Sequence, residues 1–95
     1  MVFRSVIQDN EMWYTYVLRS KKDGELYVGS TNDLERRKRQ HNSGAVKSTK
    51  HRRPLVLVYY EAIPSKKRAE ERERYFKTSW GKRFIRKQIG GTPVE

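Results

Sequence analysis

The sequence predicts an α+β domain: a small three-stranded antiparallel sheet flanked by helices, in the order ββαβαα. Three observations carry this prediction. Two short runs rich in aromatic and β-branched residues, Trp13–Arg19 and Glu25–Gly29, are joined by the polar turn Ser20-Lys21-Lys22-Asp23-Gly24. A near-continuous apolar run, Leu55–Tyr60, follows a long polar interval. Three segments of helix formers open on capping residues, after Asn32-Asp33, after Ser65 and at Ser79.

No linker or internal repeat divides the 95 residues, so one domain is expected, spanning 12–89. Residues 1–11 carry little pattern and read as a flexible arm or as residues ahead of the true start. Residues 90–95, which open on Gly90-Gly91-Thr92-Pro93, read as a loose tail.

In the first hairpin, an even-numbered loop pairs residues whose numbers sum to an odd value, and side chains alternate between faces. Tyr16 and Tyr27 therefore share a face, and both phenols can enter one pocket unless a bulge intervenes. Asn32-Asp33-Leu34-Glu35 has the form of an N-cap with a glutamate three residues on. The helix it opens runs through Arg36-Arg37-Lys38-Arg39-Gln40-His41 and stops near Ser43-Gly44, where glycine suits a C-terminal cap. Arg37 and His41, four apart, share a helical face. Leu34 is the chief apolar residue here, so the cationic face needs a reason other than core packing.

Gly44–Pro54 reads as a basic loop. Leu55–Tyr60 reads as a strand buried on both faces, closed by Glu61–Pro64. Ser65 caps a helix from about Lys66 to Thr78, with Ala69, Glu73, Phe76 and Lys77 on or near one side. Ser79 caps a last helix, Trp80 to about Ile89, with Trp80, Phe84 and Ile85 available for the core.

Composition narrows the function. There are 22 Lys and Arg against 11 Asp and Glu, a formal net charge of +11, and the pI is near 10.2. Such a chain is drawn to polyanions, nucleic acid first. A membrane partner is not expected: no apolar run approaches the roughly 20 residues of a span, and no segment pairs a basic face with a strongly apolar one. The absence of Cys removes disulfides, thiolate metal sites and Cys nucleophiles together. It fits a reducing compartment, and with no long apolar segment near the N-terminus the expected location is the cytoplasm.

Most of the basic residues fall in three groups: Arg36–Arg39 on the first helix, Lys47–Arg53 on the loop, and a scatter from Lys66 to Lys87. Arg36, Lys47, Lys50, Arg52, Arg53 and Lys77 are the candidate nucleic-acid contacts, giving phosphate affinity without sequence information. Glu73 lies on the helix side expected to face inward. A carboxylate facing a cationic pocket is costly unless it neutralises something, and one Mg²⁺ or Mn²⁺ with mostly water around it is the natural occupant. Tyr16 or Tyr27 can deprotonate or orient a water, with nearby cations and a metal favouring the phenolate. Arg37 can hold a phosphate as charge develops, and His41 is a second proton-transfer candidate. Each has a plainer reading: a packed strand tyrosine, a solvated arginine, a glutamate in i,i+4 pairing, a histidine favoured by the helix dipole.

Their joint spacing resembles the GIY-YIG nucleases, especially small stand-alone members related to the nuclease domain of the bacterial excision-repair nicking subunit. The resemblance covers about Met12 to Ile89. The two signature tripeptides correspond to Tyr14-Thr15-Tyr16 and Tyr27-Val28-Gly29, followed by Leu34, Arg37 and His41, then by Ala69, Glu73 and Lys77. The first signature departs from the family, with Tyr14 and Thr15 in place of Gly and Ile. No Asn aligns with the one that some members carry near the site, Gln88 being the nearest amide. The resemblance implies Tyr16 and Tyr27 as active-site phenols, Arg37 as the phosphate-stabilising residue, His41 as an auxiliary residue and Glu73 as the ligand of one Mg²⁺ or Mn²⁺.

The expectation is a metal-dependent endonuclease hydrolysing DNA phosphodiesters, with low sequence specificity and a role in DNA repair or processing. Two other readings stand beside it: a basic DNA- or RNA-binding module that keeps the fold without cutting, and a small structural protein of a ribonucleoprotein.

Overall fold

The computed structural model describes residues 12–90, so the arm expected over 1–11 and most of the tail lie outside the described residues. The elements are β1 (Trp13–Ser20), β2 (Leu26–Thr31), α1 (Leu34–Ser43), a 3-10 turn (Lys50–Arg52), β3 (Leu55–Ile63), α2 (Lys66–Phe76) and α3 (Ser79–Gln88). The sheet is antiparallel throughout, in the order β2-β1-β3. This is the α+β architecture and element order the sequence predicts.

The hairpin ladder is unbroken, with Tyr16 opposite Gly29 and Leu18 opposite Tyr27. Tyr16 and Tyr27 therefore sit on one face as diagonal neighbours. The turn is locked by Ser20. Its hydroxyl accepts from the amides of Lys22 and Asp23 and donates to the Arg52 carbonyl at 2.6 Å, tying the hairpin to the basic loop. Gly24 occupies the left-handed position the turn requires, at φ 74°.

β1 is the central strand and is buried on both faces. Tyr16 and Leu18 face α1, packed with Leu55, Leu57, Tyr27 and Leu34. Val17 faces α2 and α3, packed with Phe76 and Ile85 and flanked by Val28, Tyr59 and Phe84. Helices thus cover both faces of a single thin sheet.

β3 corrects an expectation. It is an edge strand rather than one buried on both faces, with Val56 42% and Tyr60 50% exposed. It also runs on through Glu61 to Ile63. Its apolar run has another cause. The register against β1 shifts between Val17, opposite Tyr59, and Leu18, opposite Leu57. Val58 is therefore an extra, bulged residue, and Val58 and Tyr59 both pack against the Val17 cluster while Leu55 and Leu57 serve the other face.

The helix ends follow the chemistry of their caps. Asp33, not Asn32, is the N-cap of α1, accepting from the Arg36 amide at 3.0 Å. Glu35 does not close a capping box: its carboxylate reaches forward to Lys38 at 3.5 Å. Gly44 ends α1 at φ 90°. Ser65 caps α2 as expected, and Thr78, one residue before Ser79, caps α3.

Candidate active site

Tyr16 anchors the site. It is 1% exposed, and its ring lies across the backbone of β2 because residue 29 has no side chain. A Cβ at Gly29 would stand 2.5 Å from the Tyr16 hydroxyl and 2.7 Å from Cζ. The glycine of Tyr27-Val28-Gly29 is therefore a matter of space, not of backbone angle.

The hydroxyl so placed meets α1. It lies 2.9 Å from His41 Nε2, and Arg37 Nε donates to it at 3.4 Å. Arg37 Nη1 donates to Gln40 Oε1 at 2.9 Å. The Tyr27 ring packs edge-on against His41 with centroids 4.9 Å apart, and lies 6.4 Å from the Tyr16 ring. Helix period and strand parity thus bring Tyr16, Tyr27, Arg37 and His41 into one cluster.

His41 is fully buried and its second nitrogen is satisfied from the basic loop, Nδ1 lying 2.8 Å from Thr49 Oγ1. The Thr49 hydroxyl also points to the Val46 carbonyl at 3.5 Å. With that hydroxyl donating to the carbonyl, it accepts from Nδ1–H, and Nε2 is left to accept from Tyr16. The electrostatics agree. Burial, then the Arg37 charge, pushes His41 down to about 4, so the ring is neutral. Burial pushes Tyr16 up to about 12, with Tyr27 and Glu73 adding to the rise and the Arg37 hydrogen bond opposing it. Arg37 favours the Tyr16 phenolate, as expected of a neighbouring cation, but desolvation outweighs one guanidinium.

Glu73 approaches β2 from the other face of the sheet. Its Oε1 accepts from Ser30 Oγ at 2.8 Å and its Oε2 from Lys77 Nζ at 3.0 Å. Ser30 follows Gly29, so carboxylate and phenol flank consecutive residues of β2. No group of three or more His, Asp or Glu side chains converges among the described residues. One carboxylate, completed by water and a phosphate, remains a donor set that Mg²⁺ accepts.

The candidate nucleic-acid contacts divide. Arg36 is exposed and lies 3.9 Å from Asp33. Lys47 is exposed. Lys50 and Arg53, with Lys22, Asn42, His51 and Pro54, line an open cleft beside the basic loop. Arg52 is partly buried and holds the hairpin turn through Asp23 at 3.3 Å. Lys77, besides its pair with Glu73, lines a second open depression with Ser79, Lys82, Arg83 and Arg86. The basic loop adjoins the cluster through Thr49 and His41, and the second depression adjoins Glu73 through Lys77.

Sequence reasoning passed over Gln40, Thr49 and Ser30, which hold Arg37, His41 and Glu73. Only Ser30 had a local signal, its place directly after the Tyr-Val-Gly word.

The family model of the GIY-YIG catalytic domain matches residues 12–86. A UPF0213 protein of Bacillus pumilus is 48% identical over 66 residues, 68% of this chain and 66% of that protein. A UPF0213 protein of Clostridium perfringens is 46% identical over 67 residues, 70% of this chain and 71% of that protein. The solution structure of a UPF0213 protein from Bacillus halodurans, 38% identical, superposes with a TM-score of 0.52 over 86% of this chain and 88% of that one.

Proposed function

Because the chain belongs to the GIY-YIG family and has its nuclease-type fold, we propose that it is an endonuclease that hydrolyses DNA phosphodiester bonds with one divalent cation, Mg²⁺ or Mn²⁺, held by Glu73. The observation that carries this reading is the buried, neutral His41 accepting from Tyr16 beside Arg37 and Tyr27. Simple packing does not need a chain of polar groups running through a hydrophobic layer.

With the phenol near 12 and the imidazole near 4, moving the Tyr16 proton to His41 is steeply uphill. His41 therefore orients Tyr16 rather than deprotonating it, and Thr49 orients His41 in turn. Tyr27 is less buried, and its hydroxyl makes no side-chain hydrogen bond among the described residues. It is the phenol free to orient the attacking water and, as phenolate, to take its proton. Arg37 spends Nε and Nη1 inside the site, which leaves Nη2 for a phosphate oxygen as charge builds on it. Glu73 would hold the cation, which would supply charge neutralisation to the phosphate. The two basic patches bind backbone phosphates without reading bases, so sequence specificity is low.

The test is nicking of supercoiled plasmid and cleavage of labelled oligonucleotides with Mg²⁺ or Mn²⁺. Tyr27→Phe, Arg37→Ala and Glu73→Ala lose cleavage; if all three cut like the parent, the assignment is wrong. One observation favours a second reading, a non-catalytic nucleic-acid-binding module: both Glu73 oxygens are already engaged, by Ser30 and Lys77. Binding with a steep salt slope and no metal-dependent turnover would support it.

A further inference from the structure

The corner between α2 and α3 carries a feature that this reading leaves unused. Trp80, expected in the core, is 68% exposed. The reason is its neighbour. Gly81 is buried, and a Cβ there would run into the Tyr75 carbonyl oxygen and the Phe76 Cα. The first turn of α3 lies directly on the end of α2, and its inward position is taken by a residue without a side chain. Trp80, roughly 100° round the helix, is turned to water.

Arg83 sets its guanidinium carbon 5.0 Å from the indole centroid. Beside it, Lys77, Ser79, Lys82, Arg83 and Arg86 line an open depression with no carboxylate in its wall. α3 itself contains no acidic residue.

A single exposed apolar side chain needs no explanation. An indole under a guanidinium that also lines a cationic depression is a different case, because its complement must bring negative charge and a flat aromatic face together. A duplex offers phosphates but keeps its base faces stacked on one another. An acidic protein surface offers charge without the flat face. A strand with an unpaired base offers both. We propose that Trp80 is a stacking platform for an unpaired base, with Lys82, Arg83 and Arg86 holding the flanking phosphates. This rests on the nucleic-acid reading above and specifies its substrate as a DNA strand that is single or frayed at the α2–α3 corner. Lys77, shared by this depression and the Glu73 pair, makes the corner continuous with the candidate active site.

The test is fluorescence anisotropy in EDTA, where no cutting is required. The probes are a labelled single-stranded oligonucleotide, its duplex, and a strand of the same length lacking bases. Trp80→Ala weakens single-strand binding about 5- to 100-fold, the range that base–aromatic stacking spans, and leaves duplex and baseless strand within about twofold. Trp80→Tyr, which keeps a stacking face, retains most of the affinity. Unchanged single-strand binding by Trp80→Ala overturns the proposal. Equal loss on the duplex overturns it too, because the patch would then be a general electrostatic surface. Either failure leaves the cleavage assay on Arg37 and Glu73 variants untouched, so the nuclease reading is judged separately. A parent protein that binds no strand at low salt overturns both.

Discussion

The Tyr16 hydroxyl and His41 Nε2 lie 2.9 Å apart, and burial drives their titrations in opposite directions, Tyr16 up to about 12 and His41 down to about 4. Between those values both side chains are uncharged, and the hydrogen bond runs from phenol to ring.

This pair makes stability depend on pH. The folded pKa of His41 lies below its unfolded value of about 6.5, so between 6.5 and 4 the unfolded chain binds a proton that the folded chain refuses. Stability from this source is complete above about pH 6.5 and falls as pH drops toward 4, by roughly 1.4 kcal/mol per pH unit. For Tyr16 the folded pKa is raised, so its contribution is complete below about pH 10 and is lost as pH rises toward 12. Urea denaturation at pH 7, 5.5 and 4.5 checks the acid limb. His41→Gln should flatten it, and an unchanged slope in that variant would locate the acid sensitivity elsewhere.

Thr49→Val should leave the His41 Nδ1–H buried without an acceptor, at a cost of about 1–3 kcal/mol in thermal or denaturant melts. Thr49→Ser keeps the hydroxyl and should recover most of that loss. If valine melts like threonine, the hydrogen bond contributes nothing to holding the ring.

Gly29→Ala should destabilise by about 1–3 kcal/mol, because the new methyl falls on Tyr16 Oη and Cζ. Combining it with Tyr16→Leu should cost less than the sum of the two single changes, since the shortened side chain vacates the same space. Additive losses would show that the glycine acts independently of Tyr16.

Lys77→Ala removes the ammonium from Glu73 Oε2. On the proposed function it should strengthen Mn²⁺ binding a few-fold, the scale of a partly exposed ion pair, while weakening DNA binding. Water-proton relaxation by Mn²⁺ reads the first effect without any turnover. Glu73→Gln should abolish the binding, and Mn²⁺ affinity that ignores both changes removes Glu73 as the ligand.

Much of this architecture was readable from local rules. Alternation along two short strands placed Tyr16 and Tyr27 together, and helical spacing placed Arg37 with His41. What escaped depended on how neighbouring elements meet and on one-residue shifts. Leu55–Tyr60 looked like a doubly buried strand because a bulge at Val58 and a central strand at its edge produce the same apolar run as a central position does. Trp80 looked like core because an indole is large and apolar; only the close approach of Gly81 to Tyr75 and Phe76 turns it outward. Asp33 displaced Asn32 as the cap of α1 because both are good caps and one residue of shift leaves the pattern intact. Thr49 carries no signal in its own neighbourhood, since its role is set by a ring eight residues away in the chain.

Gly29 and Ser30 have a consequence for reach. The Tyr16 hydroxyl lies over Gly29 on one side of the sheet, and Ser30 grips the Glu73 carboxylate on the other. The span between phenol and carboxylate is therefore measured across one peptide thickness of hydrogen-bonded strand. The strand itself lies between the two groups, so a ligand that touches both must pass round β2, the outer strand of the sheet, and the long side chains of Arg37 and Lys77 supply the reach.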